Sequence, residues 1–170
     1  MTDERLGEGL WRALRRLPPG SGVVFRHYLL SPAERVRLFR AVRRRAMARG
    51  CVVVSAGGLL PGADGVHGPG LGSGLRTAAA HDRREALAGV RAGAEVVFVS
   101  PVFATRSHPG TVALGAARAA RVGHGLGVAV VALGGVDARR FRRLRGLGFD
   151  GWAGIDAWVT KKGRRGEAAP

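Results

Sequence analysis

Short β-branched runs alternate along the chain with stretches rich in Arg, Ala and Leu. The runs are Val23-Val24-Phe25, Val52-Val53-Val54, Val96-Val97-Phe98-Val99 and Val128-Ala129-Val130-Val131-Ala132-Leu133. Each is apolar throughout instead of alternating in polarity. That is the pattern of strands covered on both faces, and it predicts a parallel sheet flanked by helices. The intervening stretches carry helix starts. Ser31 stands as an N-cap with Pro32 at the first helical position and Glu34 beyond, and Leu38, Phe39 and Val42 form the apolar stripe. Asp82 caps a stretch containing Ala86, Leu87 and Val90, and Asp137 caps one containing Phe141 and Leu144.

A short repeat organises these elements. Gly62-Ala63-Asp64-Gly65-Val66, Gly93-Ala94-Glu95-Val96-Val97 and Gly148-Phe149-Asp150-Gly151-Trp152 share one form: a helix-ending Gly, a linking residue, an acid, then a strand. Repeated βα units favour either a (βα) barrel or a doubly wound sheet. In a barrel such turns lie at the bottom, which makes Asp64, Glu95 and Asp150 structural. The chain is short for an eight-fold barrel of about 200 residues or more. No strand precedes Met1-Thr2-Asp3, and Gly57–Gly62 and Gly68–Gly74 are Gly-rich links where helices would be expected. Residues 1–158 are expected to form one domain, and residues 159–170 a basic, disordered tail with Lys161, Lys162, Arg164 and Arg165.

Composition narrows the classes. With 170 residues, 46% of them hydrophobic and 28 glycines, the chain reads as a globular α/β protein and not as a disordered one. It has no apolar run long enough to span a bilayer and no secretory leader, so a cytoplasmic setting without a membrane partner is expected. The one cysteine, Cys51, reads as a buried apolar residue. The net charge of +16 suggests a polyanion partner. Its arginines, however, are spread over several helices, and Tyr28 is the single tyrosine. Solvated helix faces explain the charge better than a nucleic-acid surface.

Barrel chemistry resides at the C-terminal strand ends. Those positions hold Arg26-His27, Ser55-Ala56, His67, His81, the segment from Pro101 to Gly110, Gly134-Gly135 and Ile155-Asp156. Arginine, histidine, hydroxyls and glycine amides with few carboxylates suit an anion, above all a phosphate. Thr105-Arg106-Ser107-His108 concentrates such groups after a buried strand, although a Ser/Pro-rich loop alone would read similarly. His67 and His81 fit no metal motif by spacing, and hydrogen-bonded structural roles serve them equally well.

In this order, the segments resemble the thiamine phosphate synthase and thiazole tautomerase family. The resemblance rests on Thr2-Asp3, Gly62 to His67, His81, Pro101 to Ser107, Val131 to Val136 and Gly148 to Ala157. It implies a (βα)8 TIM-type barrel, truncated at its first strand and with some helices shortened. It also implies that hydroxymethylpyrimidine diphosphate is joined to thiazole phosphate. The phosphate loop then falls on Thr105 and Ser107, the phosphate glycine on Gly135 and the diphosphate arginine on Arg26. Arg106, Gly134, Ile155, Asp156, Ser55 and His81 join the substrate site, and His108, standing where the family has a loop lysine, is assigned to catalysis with Arg26. Pro101 matches the synthases, where the tautomerases carry His. The family uses Mg²⁺, but its Asn-Asp pair is Ser55-Ala56 here, Gly68-Pro69-Gly70 holds no acid, and Asp156 stands where a serine contacts phosphate. The resemblance therefore also admits a catalytically impaired or altered-specificity barrel that binds a phosphorylated or heteroaromatic ligand. A homo-oligomer is an open expectation.

Overall fold

The structure, a computed structural model, describes residues 1–105 and 110–159. Seven strands form one parallel sheet in unbroken chain order. They are β1 (Gly22–Phe25), β2 (Val52–Ala56), β3 (Gly65–His67), β4 (Leu75–Ala80), β5 (Val96–Val99), β6 (Ala129–Leu133) and β7 (Gly151–Ala153). Helix α1 (Gly9–Arg16) precedes β1, α2 (Pro32–Met47) joins β1 to β2, and α3 (Arg83–Arg91) joins β4 to β5. Helix α4 (Ala116–Gly123) joins β5 to β6, and α5 (Ala138–Leu144) joins β6 to β7. No helix separates β2, β3 and β4, so the Gly-rich links at 57–64 and 68–74 cross directly. The β3–β4 pairing needs a glycine, because a Cβ on Gly65 would collide with the backbone of Leu75.

Side chains divide between two faces of this sheet. Val24, Val54, Ala56 and Phe98 cluster with Leu75, Val131 and Ala153, which brings together strands that are not neighbours. The sheet therefore curls, as in a TIM-like barrel, and this cluster is its interior. On the outside, Phe25 and Val53 pack against Phe39 and Val42 of α2 and against Leu10 and Leu14 of α1. Val97, Val99 and Val130 pack against Ala119 and Val122 of α4 and Phe141 and Leu144 of α5. Strands with apolar partners on both faces account for the unbroken hydrophobic runs.

The first residues lie across the gap between the outer strands. Thr2 N donates to Val24 O of β1 at 2.8 Å, and Met1 N donates to Gly154 O, just past β7, at 3.1 Å.

The repeated acids sit at the opposite end from the strand termini that matter for chemistry. Asp64 accepts from Val53 N at 2.7 Å, Asp150 from Val130 N at 2.7 Å and Glu95 from Arg76 N at 3.3 Å. Each acid thus caps the amide that opens an adjoining strand region, a structural role as the repeat suggests. Ser31 and Glu34 form a reciprocal capping box on α2, and Asp82 and Asp137 cap α3 and α5. Cys51 is buried. No helix among the described residues is long and apolar enough to cross a membrane.

Candidate functional site

A cavity of about 860 Å³ opens at the C-terminal ends of the strands. The turn after β6 forms one wall. Gly134 and Gly135 have φ of +90° and +60°, a region where side chains are strained. A Cβ on Gly135 would stand 2.5 Å from Ala104 O, and one on Gly134 would stand 2.8 Å from Pro101 Cα. This close approach is fixed by backbone bonds: Val102 N donates to Leu133 O at 2.8 Å and Phe103 N to Gly134 O at 3.0 Å. The two loops most expected to meet a phosphate are therefore joined directly, with Thr105, Gly134 and Gly135 all on the cavity wall.

Arg26 follows β1 and lies on the same cavity. Its backbone N donates to Thr2 Oγ1 at 3.0 Å, and its guanidinium carbon lies 5.9 Å from the centre of the Tyr28 ring. Thr2 Oγ1 also meets His27 Nδ1 at 3.1 Å, and Phe25 stacks on that imidazole at 4.8 Å. His27 is consequently packed behind the rim, and burial pushes its pKa down.

His67 closes β3 and forms part of the cavity floor. Its Nδ1 lies 2.8 Å from Thr77 Oγ1, and its ring meets Phe98 edge-on at 5.5 Å. Burial first, and then the Arg26 charge, lower its pKa to about 4. At neutral pH it is an uncharged imidazole. His81 lines the cavity too but is held by its neighbour in α3: Glu85 accepts from His81 N at 2.7 Å and stands 2.8 Å from Nδ1.

Ile155 and Asp156 line the cavity. Asp156 does not end the last strand, as expected from the sequence, because β7 stops at Ala153 and Asp156 begins a 3-10 turn, Asp156–Trp158. The turn brings Trp158 back onto Trp152, their rings stacked at 4.9 Å, and this contact diverts the chain from the sheet. Ser55 lies outside the cavity wall: it is fully buried, donates to Gly58 O at 2.7 Å and accepts from Leu60 N at 3.0 Å. Its hydroxyl is committed to the link after β2 and unavailable to a ligand in this arrangement. Arg106, Ser107 and His108 lie outside the described residues, as does the tail from residue 160 onward.

Sequence reasoning passed over Arg140, Tyr28 and Thr111, all of which line the cavity. Arg140 was hidden in the run Arg139-Arg140-Phe141-Arg142-Arg143, where it reads as one more solvated charge. Its distance from the cap gave the available signal. Three residues after the N-cap Asp137, a side chain can reach back over the preceding turn.

Among the described residues, no group of three or more His, Cys, Asp or Glu could hold a metal ion. Asp3, the other acid near the seam, is engaged bidentately by Arg5 at 2.7 and 2.9 Å, which lowers its pKa. Mg²⁺ prefers oxygen ligands, usually carboxylates, and Asp156 is the single carboxylate on the described cavity wall. The donor set of the described residues does not fit a resident magnesium ion.

Fold and cavity together define a parallel α/β protein of the TIM-like class, with its pocket at the C-terminal strand ends. Residues 75–158 match the thiamine monophosphate synthase family model. Among solved structures, the thiamine phosphate pyrophosphorylase from Pyrococcus furiosus is similar at a TM-score of 0.77 and 22% identity, over 94% of this chain and 86% of that one. The thiamine phosphate pyrophosphorylase from Bacteroides thetaiotaomicron gives a TM-score of 0.59 at 14% identity, over 98% and 83% of the two chains. At these identities the likeness concerns the fold. No curated protein sequence matches the chain.

Proposed function

We propose that this protein is a thiamine phosphate synthase-type transferase of the cytoplasm, joining hydroxymethylpyrimidine diphosphate to thiazole phosphate. The observation that carries the reading is the union of the Thr105 loop with the Gly134–Gly135 turn on one cavity wall. A hydroxyl and glycine backbone at that wall suit the thiazole phosphate. Arg26 supplies positive charge for the departing diphosphate. In this reading the sheet belongs to an eight-fold barrel, with Met1 and Thr2 bridging β1 and the end of β7.

The chemistry asked of these residues is electrostatic. Loss of diphosphate leaves a pyrimidine cation, which the thiazole nitrogen captures. In this reading arginine meets charge on the leaving group, since the described residues offer no carboxylate set for a metal. Neutral His67 on the floor adds no positive charge against the pyrimidine cation.

The absence of a metal-ligand group among the described residues favours a second reading, a barrel that binds the phosphorylated ligand without turnover. Purified protein incubated with both precursors separates the two. Thiamine phosphate formation, together with rescue of a thiamine-requiring strain lacking its synthase, supports the transferase. Tight thiazole phosphate binding with no product and no rescue rejects transfer and leaves the binding barrel.

A further inference from the structure

We propose that Arg140 is a specificity-determining residue of the cavity: the cation that fixes the phosphate end of the ligand. The inference rests on the reading of the Gly134–Gly135 wall as a phosphate subsite. Three observations carry it. Arg140 lines the same cavity as Gly134, Gly135 and Thr105. Its Nη1 donates to Gly135 O, so the guanidinium is tied to the turn itself. Its guanidinium carbon lies 5.3 Å from the centre of the Phe103 ring, on the loop that follows β5.

The last two contacts come from different loops. Phe103 belongs to the segment whose backbone already bonds to Gly134, and Gly135 belongs to the turn before α5. Arg140 therefore spans the junction at which the two loops meet. Its backbone is fixed as well, since Arg140 N donates to Asp137 Oδ1 at 2.8 Å. A long, exposed arginine normally samples many rotamers, and ordering it on binding costs affinity. Here a ring on one side and a carbonyl on the other hold it in position before a ligand arrives.

Arginine suits this position better than lysine. A guanidinium is planar, so it can lie on an aromatic ring while its edge bonds in the plane. It has five N–H donors, and one bond to Gly135 O leaves others for an oxyanion. An ammonium could supply charge but could not keep both anchoring contacts. The chemical class selected is a phosphomonoester or inorganic phosphate, whose tetrahedral oxygens accept from a fork of donors. A neutral heteroaromatic of the same size would gain nothing from it.

Inorganic phosphate is the probe. It is titrated by calorimetry into the full chain, Arg140→Gln and Arg140→Lys at two salt concentrations, with thermal midpoints measured without ligand. Arg140→Gln should weaken phosphate by tenfold or more, about 1.4 kcal/mol, and flatten the salt dependence of binding. Its unliganded midpoint should stay within about 2 °C of the parent, since the side chain is exposed and meets only the half-buried Phe103 ring and one turn carbonyl. Arg140→Lys should recover part of the salt dependence but little of the affinity. Phosphate binding by Arg140→Gln equal to the parent overturns the role of Arg140 and leaves the phosphate subsite standing. If the parent itself binds no phosphate, the subsite falls and the role falls with it. A loss of affinity matched by a large drop in the unliganded midpoint assigns Arg140 to the turn's architecture and rejects the direct contact.

Discussion

Single residues decide how this cavity responds to pH and to charge. His67 titrates at about 4 when folded and at 6.5 when free of its surroundings, because burial disfavours the imidazolium. Between those values the unfolded chain binds more protons than the folded one. Stability tied to neutral His67 is therefore complete above pH 6.5 and lost as the pH falls toward 4, by about 3 kcal/mol in all. Urea unfolding at neutral pH and at pH 4.5 should reveal it. His67→Asn keeps a partner for Thr77 but cannot titrate, so the stability gap between the two pH values should shrink; an unchanged gap would assign the acid sensitivity to another group. Asp156 acts in the opposite sense on the ligand. It is a carboxylate on a wall assigned to an anion, and Asp156→Ser removes that charge and restores a hydroxyl. Affinity for thiazole phosphate should rise about tenfold, or roughly 1.4 kcal/mol. Weaker or equal binding by the folded variant counts against an anion at this wall.

At the scale of elements, the strand-opening acids are the clearest bond between sequence and fold. Asp150→Ala leaves the buried Val130 amide without its acceptor and should cost about 1–3 kcal/mol in urea unfolding, with phosphate affinity unchanged because the cavity is at the other end. A loss below about 0.5 kcal/mol would show that the bond is idle. These turns were legible because Gly, acid and strand recur at fixed spacing. So were β1, β2, β5 and β6, whose β-branched runs admit few alternatives, and the starts of α2, α3 and α5, whose capping side chains bond as the sequence implied. β4 was harder. Leu75-Arg76-Thr77-Ala78-Ala79-Ala80 has little intrinsic strand preference, and pairing with both β3 and β5 decides its conformation. Helix α4 begins after Gly115, with no capping side chain, so nothing local marks its start. Ser55 shows the same limit within the site. Sequence gives its hydroxyl and its strand end but not its direction, which the link from Gly58 to Leu60 determines.

At the scale of the whole molecule, the described residues bear on what metal can do. With no described cluster of ligands, inorganic diphosphate should bind nearly as well without Mg²⁺ as with it, within about tenfold. Paired calorimetric titrations test this, and a larger magnesium-dependent gain would locate a ligand outside the described residues. How the gap between β1 and β7 is bridged was also beyond sequence, since it turns on two backbone bonds from Met1 and Thr2. The acids hold a wider consequence. Asp64, Glu95 and Asp150 accept from strand amides, Asp3, Glu34, Asp82 and Asp137 from helix-start amides, and Glu4 and Glu85 from loop amides. Only Arg5 and Arg43, among the described arginines, stand within ion-pair distance of a carboxylate. Most of the described carboxylates work as scaffolding, and the arginines set the far field of a chain carrying +16. An anion diffusing past is drawn inward from almost any bearing, within a reach of about 8 Å at physiological ionic strength. Capture becomes a matter of long-range attraction, slowed by added salt, while the choice of which anion stays is left to the few groups at the mouth.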